Sequence, residues 1–200
     1  MTTALQIGPA DHGRPLAYDE FIAADVQDGF HYELIQGKLY VAPQANLPEN
    51  WIEEWLGDLL KEYARTHPRV INYVTHKAHV FVPDQPATTC PEPDIAAYHD
   101  FPTHLPLRRL RWQNVSPILV AEVLSRDDPD KDLVRNLELY LQVPSIREYW
   151  ILDARADPER PTMRVRRRYR GRWKILDIAP GDTYATHLLP GWELIVDPRR

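Results

Sequence analysis

The sequence predicts a mixed α/β domain, a sheet of parallel and antiparallel strands with helices packed against it. Three observations predict it. Residues 118–124 read ILVAEVL, an almost wholly apolar run of strand length, as expected of a strand covered on both faces. An apolar repeat of helical period over 130–142 and the run IREYWILD (146–153) follow it. Together they form a strand–helix–strand unit, for which a right-handed crossover and two parallel strands are expected. Third, residues 49–67 place Ile52, Trp55, Leu56, Leu59, Leu60 and Tyr63 on one helical stripe, the clearest amphipathic helix in the chain.

The remaining elements follow in order. Residues 1–15 read as a flexible N-terminal tail. Tyr18, Phe21 and Ile22 suggest a short helix that ends before Gly29. HYELIQGKLYV (31–41) alternates Tyr32 and Leu34 against Glu33 and Ile35, turns at Gln36-Gly37 and resumes with Leu39 and Val41, a β-hairpin pattern. NYVTHKAHVFV (72–82) has strand composition, and another short strand begins near Asp94 after a proline-punctuated loop. Residues 99–116 form a long loop with Pro102, Pro106 and the cluster Arg108, Arg109 and Arg111. The tail TMRVRRRYRGRWKILDIA (162–179) predicts a hairpin folding at Arg170-Gly171, and LLPGWELIV (188–196) a last strand. No repeat or linker divides the chain, so one domain over residues 1–200 is expected.

Composition sets outer limits. Proline supplies 19 of 200 positions, nearly twice its usual share of about 5%. Pro43, Pro68, Pro117 and Pro144 stand at borders of elements, so the excess works as punctuation. A hydrophobic share of 44% excludes disorder over the whole length. The net charge of −5 disfavours a strongly basic binder, although seven Arg or Lys and no acid fall within Thr162–Lys174. A single cysteine, Cys90, excludes an internal disulfide framework. With no secretory h-region and no apolar run long enough to span a bilayer, a cytoplasmic location is expected.

Glu122 is the anomaly, a carboxylate inside an apolar strand. Burying it unpaired costs several kcal/mol, so it must be paired, protonated or bound to a cation. A structural salt bridge to an arginine such as Arg147 is the plain alternative. Asp94 favours the cation. It follows Pro93, whose fixed φ and missing N–H suit the start of a strand, and Pro91 and Pro93 stiffen the approach. If its strand neighbours 118–124, Asp94, Glu122 and the Val123 carbonyl form a hard oxygen site suited to Mg²⁺ or Mn²⁺.

With these residues, YELIQGKLYVAP (32–43), EPDIAAY (92–98), PILVAEVLS (117–125), DLVRNLELY (132–140), VPSIREYWILD (143–153) and LLPGWEL (188–194), the chain resembles the Uma-two family. These are restriction-endonuclease-like proteins of the PD-(D/E)xK nuclease superfamily. The resemblance implies a mixed four-stranded core sheet flanked by helices, with extra β-hairpins in the N- and C-terminal parts. It also implies a divalent-metal phosphodiesterase site acting on nucleic acid, DNA foremost, and leaves a homodimer open. Carried over by position, Glu33, Asp94 and Glu122 match the family's acidic residues, Glu33 as an outer or direct metal contact. The lysine position is occupied by Asn136, which brings no positive charge. The nearby cations Lys131 and Arg135 are candidates to replace it, and Asn50 stands where many relatives carry histidine. A non-catalytic nucleic-acid-binding or interaction module is the alternative.

Other motifs have simpler explanations. His76 and His79, three apart on a strand, point to opposite faces and so do not share a metal. Asp127, Asp128, Asp130 and Asp132 suit a helix N-terminus. Arg164, Arg166 and Arg168 alternate with Met163, Val165, Arg167 and Tyr169, a solvated or phosphate-contacting face. Arg108, Arg109 and Arg111 are the better candidates for holding a nucleic-acid backbone. Trp55 and Trp150 fall on core positions, while Trp112, Trp173 and Trp192 are ambiguous.

Overall fold

The computed structural model of the protein describes residues 4–125 and 131–200, and of Asp132 only the backbone. The expected acidic cap at Asp127, Asp128 and Asp130 lies outside the described residues, as does the Asp132 side chain.

The elements in chain order are β1 (Gln6–Ile7), α1 (Tyr18–Ala23), β2 (Asp25–Val26), β3 (Phe30–Ile35), β4 (Lys38–Pro43), α2 (Leu47–Thr66), β5 (Tyr73–Thr75), β6 (Ile95–Tyr98) and β7 (Leu119–Leu124). A π-helical turn over Lys131–Arg135 then runs into α3 (Asn136–Gln142). The chain continues as β8 (Glu148–Asp153), β9 (Thr162–Tyr169), β10 (Arg172–Ile178), β11 (Thr183–Ala185) and β12 (Glu193–Ile195).

The main sheet has the order β10-β9-β8-β7-β6-β5. Its β7 and β8 run parallel, Leu119 opposite Glu148 and Leu124 opposite Asp153, as the strand–helix–strand pattern requires. The other neighbours are antiparallel. The sheet therefore counts six strands instead of the expected four-stranded core. The C-terminal hairpin is the reason: Met163 and Val165 are fully buried, so β9 docks on β8 and carries β10 with it. That hairpin turns at Arg170 (φ 48°) and Gly171 (φ 74°), as its sequence indicates.

Two cores cover the faces of the sheet. On one, Ile52, Leu56, Leu60 and Tyr63 of α2 pack with Leu119, Trp150 and Leu152. On the other, Leu139 and Tyr140 of α3 pack with Val120, Tyr149 and Ile151. Every residue of β7 is buried, which accounts for its unbroken apolar run. Arg168 closes the end of α3. Its guanidinium donates to the carbonyls of Tyr140 (3.0 Å), Leu141 (2.9 Å), Val143 (2.8 Å) and Ile146 (2.6 Å). It is thus a cap for carbonyls that the helix leaves open, not part of a phosphate-contacting face. Arg167 instead meets buried Glu148, which also accepts from Trp150, Tyr184 and Thr186. This ties the β11–β12 hairpin to the sheet. Trp192, stacked on Trp150 at 5.3 Å, resolves to the core, and Trp173 Nε1 donates to the Leu137 carbonyl.

Two expectations need correction. The tail over 1–15 is docked from residue 5 onward, because β1 pairs with β2 and Ile7 and Leu16 bury their side chains beside Tyr32, Leu34 and Leu39. Gly13 N–H also donates to the Leu39 carbonyl at 2.7 Å. The strand expected over 72–82 stops at Thr75, because Lys77 takes φ 57° and turns the chain out of the sheet. Residues 80 and 82 then bond to Pro91 and Thr89.

That detour matters for Asp94. The segment before it is held on both sides. Val80 N–H donates to the Pro91 carbonyl and Cys90 N–H to the Leu34 carbonyl of β3. The β3–β4 hairpin, turning at Gln36 (φ 51°) and Gly37 (φ 71°), thereby becomes a wall beside the main sheet.

Candidate active site

Asp94 immediately precedes β6, and the β6–β7 register sets Ile95 opposite Ala121, so Asp94 and Glu122 fall side by side. Each holds the other's strand. The Asp94 N–H donates to Glu122 Oε2 (3.2 Å), and the Val123 N–H donates to Asp94 Oδ2 (2.7 Å). Glu122, 0% exposed, also accepts from Asn136 Nδ2 (3.0 Å) and the Tyr140 hydroxyl (2.9 Å), both at Oε1. Asn136 and Tyr140 are four apart and so share one face of α3. Arg147 is not the partner. It is exposed, and its N–H bonds to Ile118 at the far end of β7.

Asp94 and Val123 open into a cleft of about 70 Å³ with His31, Glu53, Ser125 and Lys131 around it, room for an ion and a few waters. Burial pushes the Asp94 carboxyl up to about 6, reinforced by the Glu53 charge and only partly offset by Lys131. Glu53 is held by His76, whose Nδ1–H donates to Glu53 Oε1 (2.7 Å) and lies 3.1 Å from the Asp94 carbonyl. The bond to Glu53 raises the His76 pKa. Gly57 makes room for this imidazole, because a Cβ there would lie 2.7 Å from His76 Cε1.

Glu33 stands one layer away. Its Oε1 accepts from the Glu92 N–H (3.0 Å) and lies 3.8 Å from Lys131 Nζ, and its Oε2 takes the Arg135 guanidinium. Burial alone would raise its pKa, but Lys131 and Arg135 hold it below the ordinary carboxylate range. Glu33 therefore anchors the turn before α3 and the segment before Asp94, and does not line the cleft. Arg135 also donates to Asn136 Oδ1 (3.1 Å) and lies over the Tyr40 ring. Glu92 meets His31 (3.1 Å) and His79 (3.9 Å).

Arg108, Arg109 and Arg111 are not brought to this cleft. Their exposed loop leaves β6 after Tyr98, the opposite end from Asp94, and Arg111 is turned back onto the carbonyls of Arg108 and Leu110. Asn50 is exposed on α2.

A family model described as "Uma2: Putative restriction endonuclease" matches residues 18–197. The chain belongs to the Uma2 family. Its fold is similar to that of a solved structure titled as a "putative nuclease belonging to DUF820" from Anabaena variabilis, with a TM-score of 0.65 at 17% identity, over 91% of this chain and 96% of that one. At that identity the likeness speaks for the fold. No curated protein matches the chain. Among the described residues no helix is long and apolar enough to cross a membrane. The Uma2 match spans every residue of the site described above.

Among the described residues no group of three or more His, Cys, Asp or Glu side chains forms a metal shell by itself. The donors fit a hard divalent ion all the same. Such an ion binds through one or two carboxylates and keeps several waters, and the buried Asp94 carboxyl is only partly compensated by Lys131 and His31.

The sequence did not point to Glu53, His76 or Tyr140. Tyr140 carried a signal in its i+4 spacing from Asn136. Glu53 carried none, being one of several acids on the polar side of α2.

Proposed function

We propose that the protein is a metal-dependent phosphodiesterase of endonuclease type acting on nucleic acid, with DNA the first candidate. The observation that carries this reading is the mutual fixing of Asp94 and Glu122 at one end of β6 and β7, beside a cleft that also holds Glu53 and Lys131. Asp94, the Val123 carbonyl and Glu122 would hold Mg²⁺ or Mn²⁺. When bound, the ion supplies charge to offset the phosphate and to lower the pKa of a water.

This chain's own part is placement. Asn136 and Tyr140 fix the Glu122 carboxylate, Glu122 fixes the Asp94 backbone, and Val123 fixes the Asp94 side chain. Little reorganisation is then left for the reaction itself. In the hydrolysis, the oxygen of water bonds to phosphorus and the bond to one sugar oxygen breaks. A proton from the water ends on that departing oxygen by way of solvent.

The test is calorimetry with Mg²⁺ and Mn²⁺, together with cleavage of plasmid, single-stranded DNA and RNA. Binding in the unaltered chain, lost in Asp94→Ala and Glu122→Ala, supports the reading. No binding of either ion overturns it. One observation favours a second reading, a nucleic-acid-binding module without catalysis: buried Asn136 meets Glu122 with an uncharged amide. Salt-sensitive DNA binding with no cleavage by the unaltered chain or by Asn136→Lys would establish that module.

A further inference from the structure

A cleft walled by Asp94 and Glu53, with Glu122 behind it, repels the phosphodiester it is proposed to cut. Catalysis there requires positive charge from the protein as well, aimed where negative charge grows. Among the described residues, Lys131 and Arg135 stand near it, and the structure sends them to different tasks.

Arg135 turns away. Its guanidinium is taken up by Glu33, Asn136 and the Tyr40 ring. Lys131 faces the cleft together with Asp94, with only 16% of its side chain exposed. Both project from one π-helical turn, a wider winding found frequently at functional sites. Glu33 meets the two cations with one oxygen each, Lys131 at Oε1 and Arg135 at Oε2. It is thereby an orienting post for the Lys131 ammonium.

We propose that Lys131 is the cation that contacts the scissile phosphate, aimed by Glu33, while Asn136 and Tyr140 separately hold Glu122. Two duties that one lysine could combine, charge for the phosphate and a hydrogen bond to the carboxylate, are divided between two positions of this helix. The electrostatics agree with the placement: Lys131 is the strongest influence lowering the Asp94 pKa. The inference rests on the phosphodiesterase reading above and adds the residue that meets the substrate.

The experiment uses the full chain with Mn²⁺ and plasmid or oligonucleotide substrate. Lys131→Met is expected to lower kcat about 100- to 1000-fold, the scale of removing one preorganised transition-state contact. KM for DNA and Mn²⁺ affinity by calorimetry should stay within about threefold of the unaltered chain, because the contact is made in the transition state. Lys131→Arg should recover part of the rate. Lys131→Cys should be inactive and regain activity after alkylation with 2-bromoethylamine, which rebuilds an amine. Cys90, fully buried with its thiol pushed up to about 12, does not compete for the reagent.

Full activity in Lys131→Met, or no recovery on aminoethylation, overturns the inference and leaves the metal site standing. Loss of Mn²⁺ binding in Lys131→Met overturns it too, since that marks a structural role. Mn²⁺ binding without cleavage by the unaltered chain removes Lys131 as a catalytic cation. Absence of both overturns the phosphodiesterase reading, and the inference with it.

Discussion

Asp94 and Glu122 are bound crosswise: the amide of Asp94 donates to the carboxylate of Glu122, and the amide of Val123 donates to the carboxylate of Asp94. Each acid is thus held by a backbone amide of the other's strand at the point where the two strands meet. Asp94→Asn keeps an acceptor for the Val123 amide and removes the charge. Its expected thermal midpoint at pH 7 without metal equals or exceeds that of the unaltered chain. The rise that Mn²⁺ gives to the unaltered chain should vanish. Differential scanning fluorimetry with and without Mn²⁺ reads both effects, and an undiminished Mn²⁺ response in Asp94→Asn would remove this residue from the metal site.

The pH dependence follows from the same carboxyl. Its folded pKa, about 6, lies above the ordinary value of 3.8, so the folded state holds the proton more tightly. The Asp94 contribution to stability is therefore fully present below about 4 and is lost as pH rises through about 6. The loss amounts to a few kcal/mol at most, at about 1.4 kcal/mol per pKa unit. Urea denaturation of the metal-free protein should show this decline, and Asp94→Asn should flatten it. Metal binding runs the other way. A ligand must lose its proton first, so Mn²⁺ affinity should fall up to about tenfold per pH unit below about 6.

Gly57 and His76 form a packing pair that holds Glu53. A methyl group at residue 57 would lie 2.7 Å from Cε1 and 2.8 Å from Nε2 of the imidazole. Gly57→Ala should therefore displace the ring and break its bond to Glu53. The His76 pKa, raised by that bond, should return toward about 6.5 in an NMR titration. The expected loss of stability is about 1–3 kcal/mol, the range for overpacking. A His76 titration unchanged in Gly57→Ala would show that the ring is not wedged there.

Arg168→Ala should be among the more damaging substitutions outside the cleft. It removes the donor for four carbonyls at the end of α3 and leaves them without that partner. Hydrogen bonds from charged groups contribute about 1.5–3 kcal/mol, and a loss of that order is expected in urea denaturation. Arg170→Ala, at the exposed tip of the same hairpin, should change stability by less than about 0.5 kcal/mol.

The sheet was legible where sequence and burial coincide. ILVAEVL could only be a covered strand, and the Gln36-Gly37 and Arg170-Gly171 dipeptides marked turns with positive φ. Asp94 and Glu122 were legible because a carboxylate in an apolar strand requires an explanation. The failures share a physical cause, since each turned on a partner distant in sequence. Arg168 read as part of a solvated or phosphate-contacting face, yet it closes the end of α3, while Arg167 on the other side meets Glu148. The tail docked because Ile7 found the hairpin, and Glu53 joined the site because His76 left the strand pattern. Arg108, Arg109 and Arg111 were near the Glu122 strand in sequence and at the wrong end of it in space.

The bond between Arg135 and Glu33 spans 102 positions along the chain, and that between Glu92 and Glu33 spans 59. No local hairpin or helix can assemble this cleft ahead of the remainder, since contacts at such separation form only after long loops have closed. A chain still emerging from the ribosome has the residues and lacks the centre. Completeness of the fold is thus the condition for the cleft to exist at all.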